Sequence, residues 1–361
     1  MPDYAPTRDA IRKLLEGRGL SFRDFLEIAL YHRDLGYYAQ AQSPIGREGD
    51  YVTSHEISPV FGYSLGRLVG EFLSRTGDGV CSIVDIGCGD GSLINTLYVD
   101  SPRARFSGVD RNLGRLPHVA SRRARFANDL AEIEALDCQL VISNELFDAL
   151  PFARLVKRGE RLHELWVTTR EGDLDWTERE ADPAYEAYFA DRGIALEDGQ
   201  FADVSLDWER LYERICRFVS RGLIVTFDYG LAESKLFRGR MRRFGTAAAY
   251  AHHRVSRDLL ANPGEQDVTA HINFSDLQRA GERSGYATLF FDVQAKFLLS
   301  LGAHEHELLQ PNERIDSLEV REKREDAKRL ILPDGIGYEI KVLVQGRGVP
   351  LEGWSFQRKL F

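Results

Sequence analysis

Residues 84–93 read "VDIGCGDGSL", a hydrophobic run that leads into three glycines spaced two apart. Apolar strand patterns alternate with helical patterns after this stretch, which is typical of a parallel sheet covered on both faces. Glycine lacks a Cβ, so the backbone at Gly87, Gly89 and Gly91 can approach a ligand closely. In such a sheet the ligand lies beyond the carboxyl end of the first strand. The stretch therefore predicts a doubly wound α/β fold with a ligand-binding turn.

Other segments precede and interrupt this pattern. Two short helical patterns and a loop rich in Gly, Pro, Ser and aromatic residues come before a helix that begins at Ser58 and Pro59. The loop begins at Leu35 and is expected to be ordered without regular structure. The predicted division is an N-terminal helical extension with the motif loop over residues 1–76, then a Rossmann-like domain over residues 77–361, with an inserted hairpin and helical segment at about 152–206 and a substrate-side segment at about 230–273.

Composition argues against several kinds of protein. The 361 residues carry a formal net charge of −9, which disfavours nucleic acid as the main partner. The four cysteines form no C-x-x-C pair, and His252, His253 and His271 match no standard ligand spacing, so neither a disulfide framework nor a metal is expected. No stretch has the roughly 20 apolar residues of a membrane span. Acidic residues near the N-terminus are unlike a signal or transit peptide, so a cytoplasmic location is expected.

The glycine spacing discriminates between cofactors. A dinucleotide fingerprint, G-x-G-x-x-G, would have its third glycine at position 92, which is Ser92, whereas the chain has G-x-G-x-G. This form after Asp85 resembles the first motif of class I S-adenosylmethionine-dependent methyltransferases. Asp110 ends the second predicted strand about 25 residues later, where a carboxylate can accept hydrogen bonds from both ribose hydroxyls. Asn128 and Asp129 follow a short third strand, where methyltransferases commonly hold the adenine amino group.

These positions give a set of candidate cofactor ligands. The backbone of the glycine turn is expected to face the amino-acid end of S-adenosyl-L-methionine, with Asp85 orienting the turn or binding the ammonium group. An alternative is that Asp110 and Asp129 only cap loops and helices. The residues predicted to bind the cofactor are Asp85, Gly87, Cys88, Gly89, Gly91, Asp110, Asn128, Asp129 and Asn144.

Five longer stretches carry a narrower resemblance: "LGYYAQ" at 35–40, "GDYVTSHEISPVFG" at 49–62, "SNELFDALPF" at 143–152, "IVTFDYG" at 224–230 and "NPGEQDVTAHINF" at 262–274. Their order and spacing resemble the MidA-like family of methyltransferases over nearly the whole chain. Mitochondrial members of that family include the arginine methyltransferase that assists assembly of respiratory complex I. The chain departs from the family in its glycine turn, at His55, where proline is typical, and at Asn273, where aspartate is typical.

The resemblance implies methyl transfer to an arginine side chain of a partner protein. A guanidinium is protonated at neutral pH and must be held by carboxylates. Candidate carboxylates are Glu56, Glu145, Asp148, Asp228, Glu265 and Asp267, with His271 as a base or substrate contact. Tyr37, Tyr38 and Tyr51 either line the cleft or serve as packing residues. Two alternatives stay open, a small-molecule O- or N-methyltransferase and a non-catalytic assembly factor that binds S-adenosylmethionine as a structural ligand.

Overall fold

The computed structural model describes residues 5–15, 18–39, 53–98, 101–115, 124–238, 243–252, 254–311 and 317–358. Tyr51 and His253 lie outside these residues. The chain divides into two compact units, each assembled from three separate segments. The first unit comprises residues 1–51, 147–208 and 231–273, and the second comprises residues 52–146, 209–230 and 274–361.

The second unit contains the sheet that the sequence predicts. The seven strands along its main path are β1 (Cys81–Ile86), β2 (Ala104–Val109), β3 (Arg125–Ala127), β4 (Cys138–Asn144), β5 (Gly222–Leu231), β6 (Ala287–Val293) and β7 (Ile340–Arg347). They are hydrogen-bonded in the order β3-β2-β1-β4-β5-β7-β6. The pairings from β3 to β5 are parallel, and β7 runs antiparallel to both β5 and β6. The strand order reverses between β1 and β4, so a ligand site is expected beyond their carboxyl ends.

Helices pack on this sheet because their apolar faces match its two hydrophobic faces. Ser58 begins the longest of them, since its Oγ accepts a hydrogen bond from the Val60 N–H at 3.3 Å and Pro59 takes the first helical position, as predicted. The helices of this unit span Ser54–Ile57, Pro59–Arg75, Ser92–Leu97, Asp207–Phe218, Phe274–Arg283, Gln294–Ser300, Leu318–Arg329 and Ile336–Glu339. The first two residues of the fourth helix, Asp207 and Trp208, are counted with the first unit.

The first unit is built on antiparallel strands. The predicted hairpin is present as Ala153–Arg158 and Arg161–Arg170, and Asp173–Glu180 pairs with its second strand. Leu20–Ser21 and Phe201–Val204 complete this sheet, and a smaller sheet joins Ala248–Ala251 to Arg254–Ser256 and Asp267–Thr269. The helices of this unit span Ala5–Leu15, Phe22–Tyr31, Pro183–Asp191 and Glu233–Leu236.

The structure corrects the predicted loop that begins at Leu35. A 3₁₀ turn spans Tyr37–Ala39, and a short helix spans Ser54–Ile57. The helix begins at Thr53 with a capping box, in which the side chains of Thr53 and Glu56 bond each other's backbone N–H groups. The T-x-x-E spacing is visible in the sequence, but the surrounding Gly, Pro and Ser residues favoured a loop. The division at residue 76 stays a prediction.

None of the described helices is long and apolar enough to span a membrane.

The helix Gln294–Ser300 packs against the sheet of the second unit through a cluster of aromatic rings. The ring centroid of Phe297 lies 5.4 Å from that of Phe227, 5.3 Å from that of Phe290 and 5.7 Å from that of Phe356. Phe297 is fully buried, so all of its ring packs against other residues of the protein.

Phe297→Ala is expected to lower the free energy of unfolding by about 3–5 kcal/mol, because it leaves a cavity in a packed core. The matched control is Phe244, which is 67% exposed and whose replacement by alanine should change stability by less than about 0.5 kcal/mol. Denaturant unfolding of both variants measures the difference. Equal losses for the two variants would contradict this description of the core.

Candidate functional site

The glycine turn lies at the carboxyl end of β1, at the reversal of strand order. Gly87, Gly89 and Gly91 have φ values of +77°, +53° and +75°, in the left-handed region that favours glycine. The N–H groups of Gly87 and Cys88 donate to the Val109 carbonyl at 2.8 and 3.2 Å, which ties the turn to the end of β2. Cys88 is buried, and burial raises the pKa of its thiol well above the usual range. Such a shift favours the protonated thiol over the nucleophilic thiolate.

Asp110 joins the end of β2 to the turn. Its Oδ2 accepts a hydrogen bond from the Gly89 N–H at 3.0 Å, and its Oδ1 accepts one from the Asn112 N–H at 2.8 Å. A carboxylate at this position is a hydrogen-bond acceptor of the kind that the two hydroxyls of a ribose require. The predicted ribose role of Asp110 agrees with this position and stays a prediction.

Asp85 lies in β1, where it is paired in register with Gly108 of β2, and its side chain is buried. Burial, together with the nearby charges of Asp110 and Asp90, raises the pKa of Asp85 to about 7. Asp110 is therefore close enough to Asp85 to influence its ionisation. A ligand that brings a cation to this carboxyl, such as an ammonium group, would favour its ionised form.

Asn128 and Asp129 follow β3, as the sequence predicts. The Asn128 amide donates to the backbone carbonyls of Asp110 and Arg111, both at 3.1 Å. Asp129 caps the 3₁₀ turn that follows it by accepting from the Ala131 N–H, and this bond, followed by that from Arg214, lowers the pKa of Asp129. Asp129 thus caps a turn, which the sequence leaves open as the alternative to cofactor binding. Its contact with adenine stays a prediction.

The carboxyl end of β4 carries a second group of polar side chains. Glu145 has a φ of +53°, an uncommon value for a residue other than glycine, and its N–H donates to the Phe227 carbonyl of β5 at 2.8 Å. The Glu145 Oε1 accepts hydrogen bonds from the Ser54 N–H at 3.1 Å and from the Asn144 amide at 3.2 Å. Backbone strain held by such bonds is found at functional sites more often than elsewhere.

Two further carboxylates influence Glu145. Burial, together with the charges of Asp228 and Glu56, raises the pKa of Glu145 to about 8, although the hydrogen bonds from Ser54 and Asn144 oppose the shift. Asp228 is fully buried near the end of β5, and its Oδ1 accepts from the Tyr229 N–H at 2.9 Å. Burial also raises the pKa of Glu56. The structure therefore brings Glu56, Glu145 and Asp228 together.

The remaining candidates belong to the first unit. Asp148 is buried, and its carbonyl accepts from the Ala270 N–H at 3.4 Å, while the His271 N–H donates to Thr246 Oγ1 at 3.1 Å. The catalytic roles of Asp148 and His271 stay predictions. Four other residues noted in the sequence also lie here: the Tyr38 hydroxyl donates to Asp267 at 2.8 Å, Tyr37 is buried against Tyr38, and burial raises the pKa of Glu265 to about 7. The Asn273 amide donates to the Tyr188 hydroxyl at 2.9 Å, in the protein interior.

Sequence reasoning missed the contribution of Ser54 and Ser92. Ser54 supplies a backbone N–H to Glu145, and Ser92 Oγ lies 2.7 Å from His55 Nε2. A hydrogen bond from a backbone N–H cannot be predicted from the pattern of side chains. Ser92 is distinctive in the sequence only because a dinucleotide motif would have glycine at this position. The capping box at Thr53 was the signal that could have placed this short helix.

The residues present fit S-adenosylmethionine. A Cβ built on Gly89 meets no atom within 4 Å, so an L side chain would fill space beside the turn that is open to a ligand. Asn144 Oδ1 is buried and has no hydrogen-bond partner within the described part of the chain. A polar atom of this kind is costly unless a ligand or water satisfies it. The strand order 3-2-1-4-5-7-6, the glycine turn after β1 and the carboxylate after β2 define a class I methyltransferase.

Comparisons with known proteins agree with the assignment to the methyltransferases. A family model described as "Putative S-adenosyl-L-methionine-dependent methyltransferase" matches residues 107–291, just over half of the chain. The mitochondrial protein arginine methyltransferase NDUFAF7 homolog of Caenorhabditis elegans is 24% identical over 89% of this chain and 79% of its own. The human NDUFAF7 is 22% identical over 82% and 73%. A crystal structure of a candidate methyl transferase from Burkholderia thailandensis, bound to S-adenosyl-homocysteine, has a TM-score of 0.84, with 25% identity over 99% of this chain and 96% of its own.

The chain belongs to this family of S-adenosyl-L-methionine-dependent methyltransferases. It is an enzyme, and S-adenosyl-L-methionine is its cofactor. These findings confirm the resemblance to the MidA-like family and the fold class, and they remove the non-catalytic alternative.

The predicted cytoplasmic location is wrong by the same comparisons, because the curated relatives are named as mitochondrial proteins. The prediction rested on acidic residues near the N-terminus and on cysteine spacing. Neither feature identifies a compartment, since reducing conditions are not peculiar to the cytosol.

Gly89→Ala is expected to weaken binding of S-adenosylhomocysteine at least tenfold, because the new methyl group occupies the space beside the turn. Gly159 is a matched control, since its φ of +55° and its open surroundings are nearly the same. Both variants should lose about 1 kcal/mol of stability from the left-handed backbone. Calorimetry should show a loss of affinity for Gly89→Ala alone; a similar loss for Gly159→Ala would contradict the assignment of the turn.

Asp85 should make the stability of the cofactor-free protein depend on pH. Its pKa is raised from 3.8 to about 7 in the folded state, so its contribution to stability is present near pH 4 and is lost as the pH rises through about 7. Asp85→Asn cannot ionise, and its stability relative to the wild type should therefore improve between pH 4 and pH 8. At about 1.4 kcal/mol for each unit of pKa shift, the change should amount to a few kcal/mol.

Denaturant unfolding over this pH range measures the effect, with Asp334→Asn, at an exposed position of the same unit, as the control. A difference between wild type and Asp85→Asn that stays constant with pH would show that Asp85 ionises normally.

Proposed function

We propose that this enzyme methylates an arginine side chain of a partner protein. The observation that carries the proposal is the group of hydrogen-bond acceptors at the carboxyl ends of β4 and β5. Its members are the carboxyl groups of Glu56, Glu145 and Asp228, the hydroxyl of Ser54 and the amide oxygen of Asn144. The names of the curated relatives, which are protein arginine methyltransferases, support the same acceptor.

Two atoms of the group have no hydrogen-bond donor in the described part of the chain. Ser54 Oγ and Asn144 Oδ1 are both buried and have no hydrogen-bond partner among the residues that the structure describes. Ser54 is fully buried, and its N–H already holds Glu145. A guanidinium has five N–H donors and no acceptor, so it is complementary to such a group. A neutral hydroxyl substrate would satisfy fewer of these atoms.

The electrostatics of Glu145 favour a cationic ligand. The pKa of Glu145 is raised to about 8 mainly by burial, and the negative charges of Asp228 and Glu56 contribute to the shift. A bound guanidinium would lower that pKa and return Glu145 to its ionised form. The carboxylate and the guanidinium can then form a charge-assisted bidentate pair, which fixes the plane of the acceptor.

This arrangement also accounts for the proton balance of the reaction. S-adenosylmethionine supplies a methyl group on a sulfonium, whose carbon–sulfur bond breaks with its electron pair passing to sulfur. The acceptor nitrogen forms the new carbon–nitrogen bond and must release one N–H proton. Glu145 in its ionised form accepts a hydrogen bond from that nitrogen and can take the proton, while Glu56 holds the far side of the guanidinium. The remaining work is positioning and exclusion of water.

Glu145→Gln is expected to lower the rate of methyl transfer at least 100-fold while changing the affinity for S-adenosylhomocysteine less than about threefold. The glutamine keeps the shape of the side chain but can neither ionise nor take a proton. Glu282→Gln, at an exposed position on the helix Phe274–Arg283, is the matched control and should behave as the wild type. Equal losses of transfer and affinity would contradict the acceptor role of Glu145.

Tritiated S-adenosylmethionine, incubated with enzyme and cell lysate, identifies the acceptor class. The proposal expects label in protein, recovered as methylarginine after acid hydrolysis, and lost with Glu145→Gln. Label in an extractable metabolite would show a small-molecule methyltransferase instead. Label in protein on a residue other than arginine would contradict the guanidinium argument and leave the protein substrate standing.

A further inference from the structure

His55 links the glycine turn to the carboxylates at the end of β4. Its Nε2 lies 2.7 Å from Ser92 Oγ, and its Nδ1 lies 2.8 Å from Thr53 Oγ1. Ser92 directly follows the last glycine of the turn, and Thr53 caps the short helix Ser54–Ile57. Both ring nitrogens are therefore used, and each contacts a different part of the site.

The contacts continue from Thr53 to Glu56. Thr53 Oγ1 lies 3.4 Å from Glu56 Oε2. An ionised carboxylate has no proton to donate, so Glu56 in that form is the acceptor of this bond. With Glu56 ionised, Thr53 donates to Glu56 and accepts from His55, and this assignment of donors puts the imidazole proton on Nδ1. Nε2 is left to accept from the hydroxyl of Ser92. Burial lowers the pKa of His55, against the charge of Asp90, which agrees with one donor and one acceptor nitrogen.

The short helix that His55 holds carries two groups used at the acceptor site. The N–H of Ser54 donates to Glu145 Oε1 at 3.1 Å, and Glu56 faces Glu145 closely enough to raise its pKa. A helix of one turn has little stability of its own, so its placement depends on such tertiary contacts. A shift of the turn that moved Ser92 would therefore also move the groups that hold Glu145.

We propose that His55 is a positioning residue that couples the glycine turn to the acceptor carboxylates, through hydrogen bonds to Ser92 on one side and Thr53 on the other. Occupation of the turn by the cofactor then favours the arrangement of Ser54, Glu56 and Glu145 that is ready for the acceptor. The inference rests on methyl transfer as the reaction and on the contacts of His55. It does not depend on arginine as the acceptor.

A double-mutant cycle tests the coupling. His55→Ala and Ser92→Ala should each weaken the binding of S-adenosylhomocysteine about fivefold, the usual worth of one neutral hydrogen bond, and the double variant should lose no more than either alone. Calorimetry with S-adenosylhomocysteine as the probe gives these affinities. Losses that multiply to about 25-fold, or no loss for either variant, would overturn the proposal.

Transfer rates separate positioning from simple cofactor contact. At saturating tritiated S-adenosylmethionine, His55→Ala should still lower the incorporation of label into lysate at least tenfold, because Glu56 and Ser54 are displaced. His55→Asn keeps the Nδ1 contact with Thr53 and His55→Gln keeps the Nε2 contact with Ser92, so His55→Gln should restore cofactor affinity more than His55→Asn does. Identical behaviour of the two variants would overturn the proposal.

His306 provides a matched control, since its Nδ1 accepts from the Leu308 N–H at 3.2 Å and burial lowers its pKa as well. His306→Ala should change neither affinity nor transfer. Should His55→Ala fail to fold, Ser92→Ala and the comparison of His55→Gln with His55→Asn decide the matter. Failure of arginine as the acceptor would appear only in the identity of the labelled residue, so the two proposals can fail separately.

Discussion

The hydrogen bond from the Gly89 N–H to the Asp110 carboxylate is the contact on which the rest of the site depends. It fixes the turn after β1 against the end of β2, in a backbone conformation that only glycine adopts without strain. The parallel pairing of β1 with β2 brings the two strand ends to the same edge of the sheet. The turn thus has open space on one side and a carboxylate on the other, which are the two features that a nucleoside with a ribose diol requires.

A second constraint is the excess of negative groups at that edge. Asp85 and Glu145 are both carboxyl groups whose burial raises their pKa values to about 7 and about 8, and in each case neighbouring carboxylates add to the shift. Such sites are destabilising for the protein alone and become favourable when a cation binds. S-adenosylmethionine carries an ammonium and a sulfonium, and a guanidinium acceptor is also cationic. The electrostatics of the site therefore match both proposed ligands.

The sequence predicted the parts of this arrangement that depend on local pattern. The spacing of the glycines, the apolar strands and the Ser58–Pro59 cap each have a local physical cause, and each prediction was confirmed by the fold. The sequence did not predict the short helix at Ser54–Ile57, because its capping box lies in a stretch whose composition favours a loop. It also could not predict contacts made by backbone groups, such as the Ser54 N–H on Glu145, or the bond between His55 and Ser92, which are far apart in the chain. Asp129 follows β3 as the sequence predicts, and its carboxylate caps the next turn and contacts Arg214, while its contact with adenine stays a prediction.

The central claim is that the glycine turn, with Asp85 and Asp110, holds S-adenosylmethionine. The most direct test is a crystal structure of this protein with S-adenosylhomocysteine. The account predicts that the ribose hydroxyls lie within hydrogen-bond distance of Asp110, with the amino-acid end of the ligand against the glycine turn. A ligand bound elsewhere, or one whose ribose is held by other groups while Asp110 contacts only the backbone, would contradict it.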